Sequence, residues 1–297
     1  MARPRPPLPP GPLTIDGGLS TQLERQGCDV HGHLWTAHAL LDQPAAVEAA
    51  HRAFVDAGAD IIISASYQVS RQGFAELGRD ARDADDALRA SLHVARSATE
   101  GTSTLVAASV GPYGAVLHDG SEYRGRYGLT HRQLVDFHRA RLDVLVSAGP
   151  DLLAVETIPD ADEASALVDA LEDYPDIPAW MTFSAPDEAH VWSGHAIEDA
   201  ISAVAGSVSA VGINCTDPRY VEGLLTRMAS VTALPLVAYP NAGGSWDAAS
   251  GEWSTGSGDA DAVWSPVKRW RALGAQYVGG CCGTDAESIR RLAASLR

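Results

Sequence analysis

From residue 13 onward, short apolar or β-branched runs alternate with longer stretches of helical period. That alternation limits the fold more than any other property of the chain, because it is the pattern of a parallel sheet covered by helices. The runs are LTID (13–16), DIIISAS (60–66), STLVAASV (103–110), DLLAVET (151–157), AWMTFS (179–184), SAVGINC (209–215), LPLVAYP (234–240) and QYVGGC (276–281), eight in all. Amphipathic stretches such as 44–58, 131–149 and 161–174 lie between them, and glycine closes two of these, as a helix C-terminus prefers. Eight such units predict a single-domain α/β fold, a (β/α)8 TIM-type barrel over 13–297, with a doubly wound open sheet as the alternative that periodicity alone leaves standing.

Residues 1–12, MARPRPPLPPGP, carry no apolar core of a secretory signal, and their proline density forbids a helix. A disordered Pro-rich N-terminal tail is expected there. The missing signal points to a reducing cytoplasm, where cysteines serve as ligands or catalysts more often than as disulfides. No apolar run approaches the roughly 18 residues needed to cross a bilayer. With 22 basic against 38 acidic side chains, a net charge of −16 opposes binding to nucleic acid or anionic lipid. Two connections exceed the usual length, 111–130 and 241–259; both follow strand C-termini, which in a barrel places them over the catalytic face as expected lids.

In a barrel, the residues that project into the site stand at strand C-termini. Here those are Asp16, Ser66 with Tyr67, Glu156 with Thr157, Asn214 with Cys215, Tyr239 with Asn241, and Cys281 with Cys282. Three of the chain's four cysteines are among them. Thiolates from the ends of neighbouring strands 6 and 8 could converge on one ion, and sulfur ligands select zinc over harder metals. Successive residues of a regular strand point to opposite faces, so Cys281 and Cys282 cannot both reach one ion unless Gly279, Gly280 and Gly283 let the strand end curl. From spacing alone, with no C-x-x-C pattern, the doublet is readable as metal ligands or else as buried filler or a vicinal redox pair. Cys28, outside any strand end, reads as a structural or surface thiol. The histidines form no ligand pair, and no nucleophile elbow, Walker loop or dinucleotide fingerprint is present.

The segments IDGGLSTQLERQGCD (15–29), ADIIISASYQ (59–68), SVGPYGA (109–115), GSEYRGRY (120–127), LLAVETIP (152–159), VGINCT (211–216), AYPNAG (238–243) and GGCCGT (279–284) together resemble the zinc-dependent homocysteine S-methyltransferases, in particular the bacterial enzymes using S-methylmethionine or S-adenosylmethionine. The resemblance runs from about residue 13 to the end. It implies a (β/α)8 barrel, Zn2+ held by Cys215, Cys281 and Cys282, and transfer of a methyl group from a sulfonium donor to homocysteine. By the same match Asp16 and Glu156 hold the amino group of homocysteine, Gly17 and Gly18 lie against its backbone, and Tyr67 and Asn214 complete the substrate contacts. Tyr67, Tyr113, Tyr123, Phe183, Trp246 and Trp253 are candidates to face the cationic donor. The chain lacks the C-terminal extension of the betaine-using branch, which implies a monomer or small homo-oligomer, and the further domains of the cobalamin-linked branch. A non-catalytic zinc or thiol sensor on the same barrel, and a vicinal-disulfide redox protein, are the competing functional readings.

Overall fold

The computed structural model describes residues 5–28, 35–117, 119–243, 246–247, 252–253 and 263–297. All eight expected strands form: β1 (Leu13–Thr14), β2 (Ile61–Ile63), β3 (Leu105–Val110), β4 (Leu152–Ile158), β5 (Ala179–Phe183), β6 (Ala210–Asn214), β7 (Leu236–Tyr239) and β8 (Ala275–Val278). They pair in parallel, each with its sequence neighbour from β2 to β8, and β8 pairs with β1. A parallel bridge between Ile15 and Ile61 closes the circle, so the barrel reading holds and the open sheet is excluded.

Strands this apolar need cover on both faces. Inside, Trp180 fills the barrel: it is fully buried, its ring edge-on to Tyr239 at 6.2 Å and stacked on Tyr277 at 6.4 Å. Ala107, Ala154 and Ala210 from the other strands make room for it, the alternation of large and small that a filled barrel requires. Outside, the helices lay their apolar stripes on the sheet. Helix Ala81–Thr99 buries Ala84, Leu88, Leu92 and Ala95 and starts on Asp80, whose carboxylate accepts from the amides of Arg82 and Asp83. Helix Pro44–Ala57 ends on Gly58 at φ 98°, a conformation that glycine alone adopts without penalty.

The N-terminal segment departs from expectation. Residues 5–12 are not a free tail but lie across the N-terminal end of the barrel. The Arg5 guanidinium donates to the carbonyls of Ser207 (2.6 Å), Ile177 (2.7 Å), Tyr174 (2.8 Å) and Leu171. Pro6 and Pro9 carbonyls accept from Ser209 Oγ (2.8 Å) and Tyr277 Oη (2.7 Å), and Leu8, 7% exposed, caps the interior cluster. Proline density excludes a helix, yet an extended proline-rich strand needs no internal hydrogen bonds and offers its carbonyls outward.

Of the two long connections, 111–130 folds into a helical turn, Gly114–Leu117, and a 3-10 turn, Ser121–Tyr123. Within 241–259 a short antiparallel pair joins Trp246–Asp247 to Glu252–Trp253. Residues 244–245, 248–251 and 254–259, and with them the expected lid, lie outside the described residues.

Candidate active site at the C-terminal face of the barrel

Strand β6 delivers Cys215 in an unusual conformation, φ 48°, fixed by its amide donating to the Tyr239 carbonyl at 3.2 Å. Such left-handed backbone at a non-glycine residue costs about 1–3 kcal/mol and persists only where surroundings enforce it. The other two cysteines arrive from β8. Pairing with β7 runs on past Val278, Gly279 donating to Ala238 (3.0 Å) and Cys281 to Pro240 (2.8 Å). The chain then reverses in a four-residue turn, closed by Thr284 N–H to the Cys281 carbonyl at 3.1 Å, with Gly283 at φ 79°.

This turn resolves the geometric objection to an adjacent pair. Cys282 lies in the turn rather than the pleat, so its side chain shares a side with Cys281. The sulfurs of Cys215 and Cys282 are 3.8 Å apart and those of Cys281 and Cys282 3.9 Å. All three lie within 4.8 Å of one another, a cluster able to hold a metal ion. Of the three glycines expected to curl the strand, only Gly283 needs its backbone freedom. Gly280 is needed for space: a Cβ there would stand 2.2 Å from Thr284 Oγ1. Cys28, half-buried against Leu23 and its neighbours, is no part of this group.

Hydrogen bonds from Cys281 and Cys282 pull the Cys215 thiol well below its ordinary pKa, and Tyr123 Oη, 3.2 Å away, adds to this. The two donor thiols are pushed up in turn. Three sulfurs gathered this closely form a donor set for a soft cation.

Two carboxylates lie below the cluster at the barrel mouth. Asp16, 3% exposed, accepts from the Ile63 amide at 2.8 Å; burial and then the nearby Glu156 hold its pKa well above the usual range. Glu156 accepts from Ser109 Oγ and from Tyr239 Oη (3.0 Å), and burial pushes it up to about 7 despite these bonds. Two buried acids that resist ionisation are a site for a cation, whose arrival restores their charge.

The remaining expected contacts divide. Gly17 and Gly18 press on the cysteine turn, Gly18 donating to the Thr284 carbonyl at 2.9 Å; a Cβ on Gly18 would meet the Cys281 carbonyl at 2.6 Å. Tyr67 is half-buried, with its phenol raised by burial and by Glu122, Cys215 and Glu156. Asn214 is fully buried, and its side chain binds Thr157 and Thr182. Among the donor candidates, Tyr123 borders Cys215. Tyr113 is instead packed between Tyr127 (5.2 Å) and Phe137 (4.9 Å) with its hydroxyl on Gln72, and Phe183 is wholly buried in the outer core. The side chains of Trp246 and Trp253 lie outside the described residues.

Sequence reasoning missed Ser109, whose hydroxyl binds Glu156. A serine interrupting the otherwise apolar run of β3 was its signal. It also passed over Thr182, equally conspicuous in AWMTFS and bound to both Asn214 Oδ1 (2.8 Å) and Tyr239 Oη (2.9 Å).

A closed eight-stranded α/β barrel carries, at its C-terminal mouth, a trio of thiols able to hold a metal ion together with two buried carboxylates. The sequence profile of the homocysteine S-methyltransferase family matches residues 13–296. Homocysteine S-methyltransferase 2 of Arabidopsis thaliana is 44% identical over 307 residues, covering 95% of this chain and 92% of that protein. Homocysteine S-methyltransferase YbgG of Bacillus subtilis is 37% identical, covering 96% and 94%. The metallated form of the homocysteine methyltransferase MmuM from Escherichia coli superimposes with a TM-score of 0.85 at 38% identity, covering 95% of this chain and 96% of that one. The chain belongs to the homocysteine S-methyltransferase family.

Proposed function

We propose that this protein is a zinc-dependent methyltransferase that moves a methyl group from a sulfonium donor, S-methylmethionine or S-adenosylmethionine, to homocysteine, giving methionine. The observation that carries the reading is the trio Cys215, Cys281 and Cys282 set over Asp16 and Glu156. Tetrahedral zinc with sulfur ligands at about 2.3 Å needs sulfurs about 3.8 Å apart; two of the pairs stand at 3.8 and 3.9 Å. The donor set therefore fits zinc, and the metallated state of the Escherichia coli relative supports a metal here. When bound, zinc would supply a Lewis-acidic centre that keeps a substrate thiol deprotonated near neutral pH and leaves one position for it.

The protein's own groups do the rest. Asp16 and Glu156 receive the homocysteine ammonium, which orients the amino acid with its thiol toward the sulfur cluster. Gly17 and Gly18 keep the backbone low enough for that approach. Ser109 and Tyr239 fix the Glu156 carboxylate; Asn214 fixes the backbone behind it. In transfer, a sulfur lone pair of homocysteine forms the new S–CH3 bond while the old C–S bond of the donor breaks. That bonding pair stays on the donor sulfur, which leaves as a neutral thioether. The thiol proton is released to solvent when homocysteine binds. Tyr67 and Tyr123 border the path and offer π faces to the donor.

Residues 13–297 act as one homocysteine-binding unit in this reading. Three unpaired thiols so close together call for a reducing compartment, for which we propose the cytoplasm. The test is incubation with homocysteine and each sulfonium donor in turn, following methionine. Methionine formation is expected; homocysteine binding with no product from either donor would favour the sensor.

A further inference from the structure

The buried carboxylate of Glu122 has no role in the account above. It lies in the turn Ser121–Tyr123, next to the tyrosine whose hydroxyl touches Cys215. Glu122 is 7% exposed, and its Oε2 is buried with no hydrogen-bond partner among the described residues. Arg124, the nearest arginine in sequence, attracts the Glu122 carboxylate through its charge, but its hydrogen bonds go to Ser121 Oγ (2.7 Å) and Asp119 (3.2 Å). The turn is also held in place: a Cβ on Gly114 would come within 2.5 Å of the Glu122 amide nitrogen. Burial pushes the Glu122 carboxyl up to about 7, with Cys215 close enough to raise it further; its charge in turn raises the Tyr67 phenol.

A buried acceptor without a donor is expensive, and more so beside a thiolate, unless a cation joins it. Asp16 and Glu156 rise from the strand ends β1 and β4 and are taken by the homocysteine ammonium. Glu122 descends from the loop after β3, beside Tyr123, which reaches Cys215 from that side. In an in-line transfer the donor sulfur must stand a methyl group's length beyond the acceptor sulfur. With the donor on the side where Tyr123 meets Cys215, that positive charge would stand near Glu122.

We infer that Glu122 is the donor-recognition carboxylate of this site, binding the positively charged sulfonium group of the methyl donor. The inference rests on the proposed methyltransferase reading and names the residue that gives that site its preference for a cationic donor. It also assigns a task to the acid of the GSEYRGRY segment (120–127) that its aromatic residues do not perform.

Glu122→Gln removes the charge and keeps the shape. Calorimetric titration of the zinc-loaded protein with S-methylmethionine, at about pH 8 where the carboxylate is ionised, should show affinity weakened roughly tenfold or more. Homocysteine affinity and inhibition by the uncharged thioether methionine should be unchanged, and Glu122→Asp should recover part of the donor affinity. Equal losses for S-methylmethionine, methionine and homocysteine would mark Glu122 as a structural residue and overturn the inference, as would unaltered S-methylmethionine binding. Turnover by the wild-type protein is a separate measurement. Its failure would count against the methyltransferase reading, whereas the titration reports on Glu122 directly.

Discussion

The Asn214 side chain grips Thr157 at two points: Oδ1 accepts from the Thr157 amide at 2.7 Å, and Nδ2 donates to Thr157 Oγ1 at 2.7 Å. Thr157, at φ 61°, interrupts the register between β4 and β5 directly after Glu156, and Asn214 itself immediately precedes Cys215, at φ 48°. One amide therefore couples the two strained backbone positions of the site, one aiming a carboxylate and the other a thiol. Replacing Asn214 by Ala leaves a buried amide and hydroxyl unpaired and should cost about 1–3 kcal/mol. Homocysteine KM should rise more than donor KM, because Glu156 loses its fixed backbone. Urea denaturation and initial-rate kinetics on the same variant check both effects.

Glu156 gives the protein a signed pH dependence. Its pKa rises from 4.5 to about 7 on folding, so between those values the folded chain holds a proton that the unfolded chain has released. Stability from this group is fully present below 4.5 and is lost as pH rises through about 7. His51, buried and lowered to about 4, acts in the opposite sense as pH falls. The comparison must therefore be between proteins: the stability of wild type minus that of Glu156→Gln should decline across the window in substrate-free protein. A pH-independent difference would show that Glu156 titrates normally.

Gly280 sets the position of the cysteine turn. A methyl group there would stand 2.2 Å from Thr284 Oγ1 and 2.6 Å from its Cβ, and Thr284 is itself buried. Gly280→Ala should destabilise by about 1–3 kcal/mol through overpacking. Because the displaced turn carries Cys281 and Cys282, metal should also be lost to a chelator more readily, which a competition titration will detect.

At the opposite end of the barrel, Arg5 ties four carbonyls of the 171–177 and 207 segments together. Arg5→Ala should lower stability by about 1–3 kcal/mol while leaving turnover per folded molecule unchanged. Thermal unfolding and active-site titration separate the two.

The barrel was legible because β strands buried on both faces spell themselves as apolar runs, and the strand ends followed from them. Cys215, Cys281, Cys282, Asp16 and Glu156 were readable for that reason: each is a polar or reactive residue closing an apolar run. Asn214 stood in the same position, yet its bonds to Thr157 and Thr182 were not readable. Whether an end residue faces the cavity or a neighbouring strand depends on the left-handed turn at Thr157, which no local pattern announces. The ordered N-terminal segment was missed because prolines signal what a segment cannot form, and its partners lie more than 160 residues away, as with Arg5 and Leu171.

The central claim is that Cys215, Cys281 and Cys282 hold the zinc on which methyl transfer depends. Its most direct test measures zinc content and transfer of isotopically labelled methyl from S-methylmethionine to homocysteine on the same preparations of wild type, Cys281→Ala and Cys28→Ala. The account predicts about one zinc per chain and labelled methionine for wild type and Cys28→Ala, with both lost together in Cys281→Ala. Labelled methionine from metal-free Cys281→Ala, or loss of zinc in Cys28→Ala alone, would contradict it.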